Sequence, residues 1–374
     1  MSALPRYRLN NSVAVLLLIG LVQVPAIAGA GYVADWLGAL VATLGMALSA
    51  PVARQFMRNP WDHRPRSSLH KNLILWPFYT WWAVCLMFTL VAGPILVANA
   101  FLPFSVASAL GASLLVAAVG AFRALRPRAR VIQKRFALRC LPQAFDGLKV
   151  VHITDVHCGP FTPPKLVQRW VARANALRPD LIVVTGDLIT SGPDYIDVMA
   201  AALAQLKAPL GVFACLGNHD YFGTTGVGAA LQRCGVNVLA NQGVTLHKSG
   251  GKMFLAGVDD NWSGRDDLNA ALRERPPNTA TVLLAHDPNF FPRSAAAHVD
   301  LTLSGHTHGG QFAVPWLVRK FNLAQTMTPF SSGVYRQGNS VLYVNHGLGT
   351  SGPPIRLGAR PELTLITLAE EPSL

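Results

Sequence analysis

Five short stretches of this chain carry side chains suited to holding divalent cations. They are Asp155-Val156-His157, Gly186-Asp187, Gly217-Asn218-His219-Asp220, His286, and Gly305-His306-Thr307-His308-Gly309-Gly310. Carboxylate and imidazole together suit manganese, iron, zinc or a similar divalent metal, and the lack of cysteine among them argues against a structural zinc. Each stretch alone says little, because D-x-H arises often by chance and a lone histidine is more often a core residue than a ligand. The ordered set carries the weight, since every member follows a segment that reads as a strand. Residues two apart in an extended segment project to one face. Asp155 with His157, and His306 with His308, are therefore each expected to converge on an ion. One carboxylate on a short loop has two oxygens and can bridge two ions. Two ions ~3.5–4 Å apart activate water near neutral pH and hold both oxygens of an in-line displacement at phosphorus. The flanking glycines permit tight turns and close backbone approach.

The elements that must position these residues form a regular array. Short β-branched runs predict strands over Lys149–Thr154, Leu181–Thr185, Gly211–Leu216, Met253–Val258, Thr281–Ala285 and Leu301–Leu303. Helices are predicted over Pro164–Leu177, Tyr195–Leu206, Gly226–Cys234, Asp266–Arg273 and Asn289–Ala297. Alternation of strand and helix implies an α/β fold with largely parallel sheet. The tail, Gly333–Tyr335, Ser340–Val344 and Glu362–Leu368, reads as strand-rich and antiparallel. In such folds chemistry collects beyond the carboxyl ends of strands, which is where the candidate ligands fall.

In this order the motifs resemble the calcineurin-like metallophosphoesterase superfamily, over about residues 148–370. The resemblance implies a β-sandwich flanked by helices and a centre of two divalent metals, with manganese expected first and iron or zinc as alternatives. One metal would take Asp155, His157, Asp187 and His308, and the other Asp187, Asn218, His286 and His306. His219 would face the phosphate and assist the leaving group, with Asp220 as its partner. The run Gly347-Leu348-Gly349-Thr350-Ser351-Gly352, then Arg356 and Arg360-Pro361-Glu362, is similar to a branch that includes transmembrane proteins with a metallophosphoesterase domain. That branch points toward UDP-2,3-diacylglucosamine pyrophosphatases of lipid A synthesis. His346 departs from the branch's pattern.

Arg356 and Arg360 are candidate phosphate clamps through bidentate pairing, with fold-stabilising ion pairs as the alternative. Residues 312–330 crowd Phe312, Trp316, Phe321 and Phe330 just after the metal-binding histidines, with Arg319 and Lys320 among them. This segment reads as an apolar lid for an acyl chain or membrane surface, Trp316 and Phe321 touching substrate, or else as a loop packed on its domain. His152 reads as core, His247 and His298 as surface, and Cys158 as an incidental small residue.

Composition sets this array behind a membrane anchor. Of 374 residues 51% are hydrophobic and 14% charged, at a mean hydropathy of +0.32, too apolar for an ordinary soluble enzyme. Four segments, about 12–30, 32–52, 73–98 and 103–122, are long and apolar enough to span a bilayer. A cleaved signal peptide ending near Ala28 is the competing reading of the first. The net charge of +13 is uneven, because residues 1–140 hold fourteen Lys and Arg against Asp35 and Asp62, leaving the rest at +1. Basic residues lie before the first segment, between the second and third, and after the fourth, while the other loops carry none. The positive-inside rule then places both termini and the catalytic part in the cytoplasm, on a multi-pass inner-membrane protein. The expected divisions are a transmembrane region 1–122, a polybasic linker 123–147 against anionic headgroups, and a phosphoesterase domain 148–374. A domain at +1 argues against a nucleic-acid partner, and no protein partner is evident. The expected partners are the membrane and a phosphorylated substrate, lipid-linked on one reading, with a general phosphodiesterase or phosphatase of a soluble substrate as the alternative. A non-catalytic scaffold would have lost ligands, and none is missing. Five cysteines without C-x-x-C spacing suggest reduced thiols.

Overall fold

A computed structural model describes residues 17, 19–58, 67–99, 101, 105–314 and 317–371. They form two compact units, the first ending at Pro127 and the second running from Arg128 onward apart from residues 353–355.

In the first unit, apolar runs form helices Val24–Val33, Asp35–Arg58, Trp76–Asn99 and Val106–Leu125. Three stretches among the described residues are long and apolar enough to cross a membrane: Asp35–Gln55, Ser68–Ala92 and Val106–Leu125. A fourth apolar helix, Ile19–Val33, is shorter, and residues 12–16 and 18 of the expected first segment lie outside the described residues. A buried polar side chain ties these helices together. Gln23 Nε2 donates to Ser49 Oγ at 3.1 Å, and Trp81 Nε1 donates to Gln23 Oε1 at 2.9 Å. Such interhelical bonds are favoured where no water competes.

The second unit is a sandwich of two six-stranded sheets. Its strands are β1 Arg130–Leu138, β2 Lys149–Ile153, β3 Leu181–Thr185, β4 Val212–Cys215, β5 Asn237–Val238, β6 Gln242–Lys248, β7 Gly251–Gly257, β8 Thr281–Leu284, β9 Leu301–Ser304, β10 Gly333–Gln337, β11 Ser340–Val344 and β12 Glu362–Glu370. One sheet runs β1-β12-β2-β3-β4-β5, the other β10-β11-β9-β8-β7-β6. Val150, Leu181, Val183 and Phe213 of the first sheet meet Met253, Leu255, Val282, Leu301 and Tyr343 of the second in one dry core. Helices Pro164–Ala176, Ile196–Leu203 and Val227–Arg233 cover the outside of the first sheet, and Leu268–Leu272 and Phe291–Ala296 the outside of the second. Strands buried on both faces read as continuous apolar runs rather than alternating ones, which is why Leu181–Thr185 was so clear in the sequence.

Two expectations change. The tail is only partly antiparallel: β10 pairs antiparallel with β11, but β11 runs parallel to β9, and β12 runs antiparallel to β2 and parallel to β1. The stretch 123–147 is also not a plain linker, since it contains β1. Phe136 and Leu138 of β1 are buried while Arg130, Gln133 and Arg135 face solvent. Its alternation was hidden by its positive charge. β1 is an edge strand, and exposed basic side chains on an edge discourage pairing with another chain. Arg128, Arg130, Lys134, Arg135 and Arg139, counted with the apolar half, thus belong to the second unit.

If β1 is part of the sandwich, Phe136→Ala should lower the unfolding free energy of the second unit by about 3–5 kcal/mol. A linker would lose almost nothing. Denaturant unfolding of the detergent-solubilised chain, followed by amide exchange in β12, decides between them.

Candidate metal centre

The ligand-type residues all follow strand ends. Asp155 and His157 come after β2, Asp187 after β3, Asn218 and His219 after β4, His286 after β8, and His306 and His308 after β9. Both sheets therefore deliver side chains to one end of the sandwich. The loops are cross-linked by backbone hydrogen bonds. Asp155 N donates to Gly186 O at 3.0 Å, His157 N to Asp187 O at 2.9 Å, and Gly305 N to His286 O at 3.0 Å. Glycine is required where these loops touch. A Cβ on Gly217 would collide with Asp187, and one on Gly347, whose φ is +70°, with Asp155.

Five of these residues adopt a left-handed backbone: Asp155 (φ 50°), His157 (46°), Asp187 (53°), His306 (69°) and His308 (54°). Extended spacing is thus not what aims them. The pairing expected from that spacing changes accordingly, because His306 and His308 join different groups. Asp155, His157 and His308 form one group whose donor atoms all lie within 4.8 Å of one another, and Asp187, His286 and His306 form another. His157 Nε2 lies 3.0 Å from His308 Nε2, and His308 Nε2 lies 3.4 Å from Asp155 Oδ1. His306 Nδ1 lies 3.2 Å from His286 Nε2. Asp187 Oδ2 faces both groups, at 3.5 Å from His157 Nε2 and 3.2 Å from His286 Nε2.

Fixed partners orient the imidazoles. His286 Nδ1 donates to Thr185 O at 2.7 Å, which leaves Nε2 aimed at Asp187. Burial opposes a charge on His286, but Asp187 and Asp155 push its pKa up to about 10. Burial, reinforced by Asp187, lifts Asp155 to about 6 against the hydrogen bonds it accepts. Asn218 Oδ1 and His157 Nδ1 are buried without a hydrogen-bond partner. A buried amide oxygen left unpaired is costly, and a cation beside it would satisfy it. The donors present therefore fit divalent metal binding.

His219 is half-buried. Its Nδ1 donates to Thr190 O at 2.6 Å, and its Nε2 faces Ser351 Oγ at 3.4 Å. Asp220 is not its partner. The Asp220 carboxylate accepts instead from Leu188 N at 2.8 Å, Ile189 N at 3.3 Å and Gly217 N at 3.0 Å. It ties the β4 loop to the β3 loop, and its pKa rises to about 7 through burial and then the charge of Asp187. A sequence motif records adjacency, and adjacency in a tight turn sends the two side chains apart.

Arg356 also departs from expectation. It is buried, and its guanidinium donates to the carbonyls of Gly349 at 2.9 Å, His346 at 2.8 Å, and His308, Ala359 and Gly347 at 3.3 Å each, and its Nη2 also lies 3.0 Å from His308 Nδ1. With its donors spent on backbone, it clamps the loops behind the metal-site histidines rather than a phosphate. Arg360 is exposed. Phe321 is exposed, and Trp316 lies outside the described residues. His346 is a buried prop whose Nε2 lies 2.6 Å from Ser332 Oγ, its ring filling the space a side chain at Gly309 would need. His152 is a core residue bonded to Thr185 Oγ1 at 2.8 Å. Thr185, Thr190 and Ser332 gave no signal in the sequence, since Ser and Thr are too common for their spacing to mean anything.

The calcineurin-like phosphoesterase pattern matches residues 148–310. The chain is 33% identical over 238 residues to the uncharacterised metallophosphoesterase YkuE of Bacillus subtilis, covering 61% of this chain and 81% of that protein. It is 32% identical over 241 residues to an uncharacterised metallophosphoesterase of Aquifex aeolicus, covering 61% of this chain and 87% of that one. It is also 34% identical over 274 residues to a transmembrane protein with metallophosphoesterase domain from Bos taurus, covering 68% of this chain and 60% of the bovine protein's length. On these matches and on the sandwich that carries its Asp and His groups, the chain belongs to the calcineurin-like metallophosphoesterase family.

Proposed function

We propose that this protein is a membrane-anchored two-metal phosphoesterase that hydrolyses a phosphodiester or pyrophosphate bond. The observation that carries the reading is Asp187, whose one oxygen faces an imidazole of each group at 3.5 and 3.2 Å. Asp155, His157 and His308 would hold one divalent cation, His286, His306 and Asn218 a second, and Asp187 would face both. Manganese suits this mixture of oxygen and imidazole donors, as do iron and zinc. When bound, the cations supply Lewis acidity toward the phosphoryl oxygens and lower the pKa of water. His219 is held by Thr190 O, and its Nε2, which faces Ser351 Oγ, would give a proton to the leaving oxygen. Arg360, exposed near the chain's end, is available to an anionic substrate.

Asp187→Asn should then lose metal and activity together. His219→Ala should retain metal while kcat falls by about 10²–10⁴-fold, the usual worth of general acid help. Metal analysis showing two ions per chain in the Asp187 variant would sink the assignment.

We further read the domain as cytoplasmic at an inner membrane. The alternation of basic and uncharged loops supports that orientation. Protease added to intact cells should therefore spare the domain until the membrane is broken, and cleavage from outside would invert the topology.

The best substrate reading is a lipid-linked nucleotide sugar such as UDP-2,3-diacylglucosamine, of lipid A synthesis. Its support is the segment after the metal-site histidines. Ala313 bridges to Asn322, and Asn322 Nδ2 donates to Ser331 Oγ at 2.8 Å. Arg319 lies over the Tyr335 ring at 4.4 Å. The polar groups thus hold the loop down, while Val314, Leu317, Phe321, Leu323 and Met327 stay exposed. Acyl methylenes buried there would contribute ~0.8 kcal/mol each. Activity on an acylated nucleotide sugar should therefore exceed that on its deacylated form by more than about tenfold, and Phe321→Ser should shrink the ratio while sparing a small chromogenic diester. Equal rates at matched detergent would remove the lipid and leave a phosphodiesterase of soluble substrates.

A further inference from the structure

Outside the first unit and the 314–327 segment, one large aromatic side chain among the described residues stands exposed at the metal centre. Trp262 is 56% exposed, and its ring centroid lies 5.4 Å from that of His306, the planes 52° apart. The loop that carries it, just beyond β7, is held on every side. Buried Asp260 accepts from Trp262 N at 3.2 Å, Ser263 N at 2.9 Å and Ser263 Oγ at 2.6 Å. Asp259 accepts from Tyr221 Oη at 2.6 Å, and its own N donates to Asn241 Oδ1 at 2.9 Å. Asn261 Nδ2 donates to Asp287 Oδ2 at 3.4 Å, and Arg265 lies over the Tyr221 ring at 4.5 Å. The backbone on both sides of Trp262 is therefore fixed while most of the indole stays in water.

A large apolar ring left exposed on a rigid loop forgoes burial that a turn of backbone would gain. At a centre that binds phosphoesters, the group able to recover that burial is part of the substrate. We propose that Trp262 is a specificity-determining residue: its indole stacks on a planar aromatic group, such as a nucleobase, joined to the phosphorus held by Asp187 and its neighbours. This rests on the function proposed above. Indole suits the role because its face is large, flat and held by two torsions. Stacking of this kind tolerates any base, since every base offers a π-face. The loop thereby selects for the presence of a flat group rather than for its identity. Aromatic rings border the centre at a second histidine as well, with Phe222 4.6 Å from His219.

The test compares two ligands that share a ribose 5-phosphate and differ at the anomeric carbon, which carries a base in one and a hydroxyl in the other. AMP and ribose 5-phosphate are titrated calorimetrically into the full-length, manganese-loaded protein in detergent, as wild type, Trp262→Ala and Trp262→Phe. Wild type should bind AMP more tightly than ribose 5-phosphate by roughly 5- to 150-fold, the worth of one stacked base. Trp262→Ala should bring AMP down to the affinity of ribose 5-phosphate, with the latter within about twofold of wild type and metal content unchanged. Trp262→Phe should restore part of the difference. Equal binding of the two ligands by wild type, with ribose 5-phosphate still bound, would overturn the stacking role and leave the metal centre standing. Equal weakening of both by Trp262→Ala, with loss of metal, would make Trp262 a support for His306 and overturn it too. Failure of either ligand to bind the manganese-loaded wild type would overturn the stacking role together with the phosphoester reading.

Discussion

Asp155 and Asp187 are two carboxylates taken out of water within reach of each other, and the surrounding structure answers that charge. Burying an ion costs several kcal/mol unless other groups replace its hydration. Asp155 accepts from His306 N and from Thr154 Oγ1, and Asp187 accepts from His219 N. The imidazoles then stand around them, two of them turned by a partner behind: His286 by the Thr185 carbonyl, His308 by Arg356. The compensation is uneven: burial lifts Asp155 to about 6, while Asp187, opposed by the same burial, is held well below the usual carboxylate range by His286 and His219. A centre with clustered carboxylates and imidazoles and an unpaired Asn218 oxygen is one that cations would complete.

The same demand explains the backbone. Left-handed φ at a residue other than glycine costs on the order of 1–3 kcal/mol, and five ligand-type residues adopt it. Asp and His tolerate this region better than bulky or β-branched residues. The sandwich sustains the strain because the strands entering these turns are buried on both faces and cannot shift. β3, from Leu181 to Thr185, has no exposed residue, and β8 and β9 are the same. The end of each strand is thus a firm base from which a strained turn projects.

Much of this was legible in the sequence. β3 was read to the residue because five consecutive apolar or β-branched positions end in Gly186-Asp187. The order of the ligand motifs is legible too, since each motif is short and follows a strand, whereas the two-sheet architecture comes only from the family resemblance that this order carries. Spacing, by contrast, did not say how side chains converge. His306 and His308 part because left-handed turns reverse what an extended strand would align. Asp220 and Arg356 depart from their motifs because their partners include backbone groups far off in sequence, Leu188 N for one and His308 O for the other. β1 is masked in the sequence because its outward residues are basic, and positive charge after an apolar segment looks like topology rather than a sheet edge. Trp262 carries no signal in the sequence, because one aromatic in a loop has no period.

The order of the first sheet has a consequence for how the chain is made. β12, the last strand, lies between β1, the first of its unit, and β2, with Arg130 opposite Glu362. While the ribosome is still at work, β1 has no neighbour to bond to. It must wait until residues 362–370 emerge and slide in next to it. Pairings so distant along the chain close slowly, and an unpaired strand is open to wrong association meanwhile. The arginines and lysine of β1 are then a safeguard for a nascent chain. A chain stopped short of residue 362 would leave that strand stranded for good.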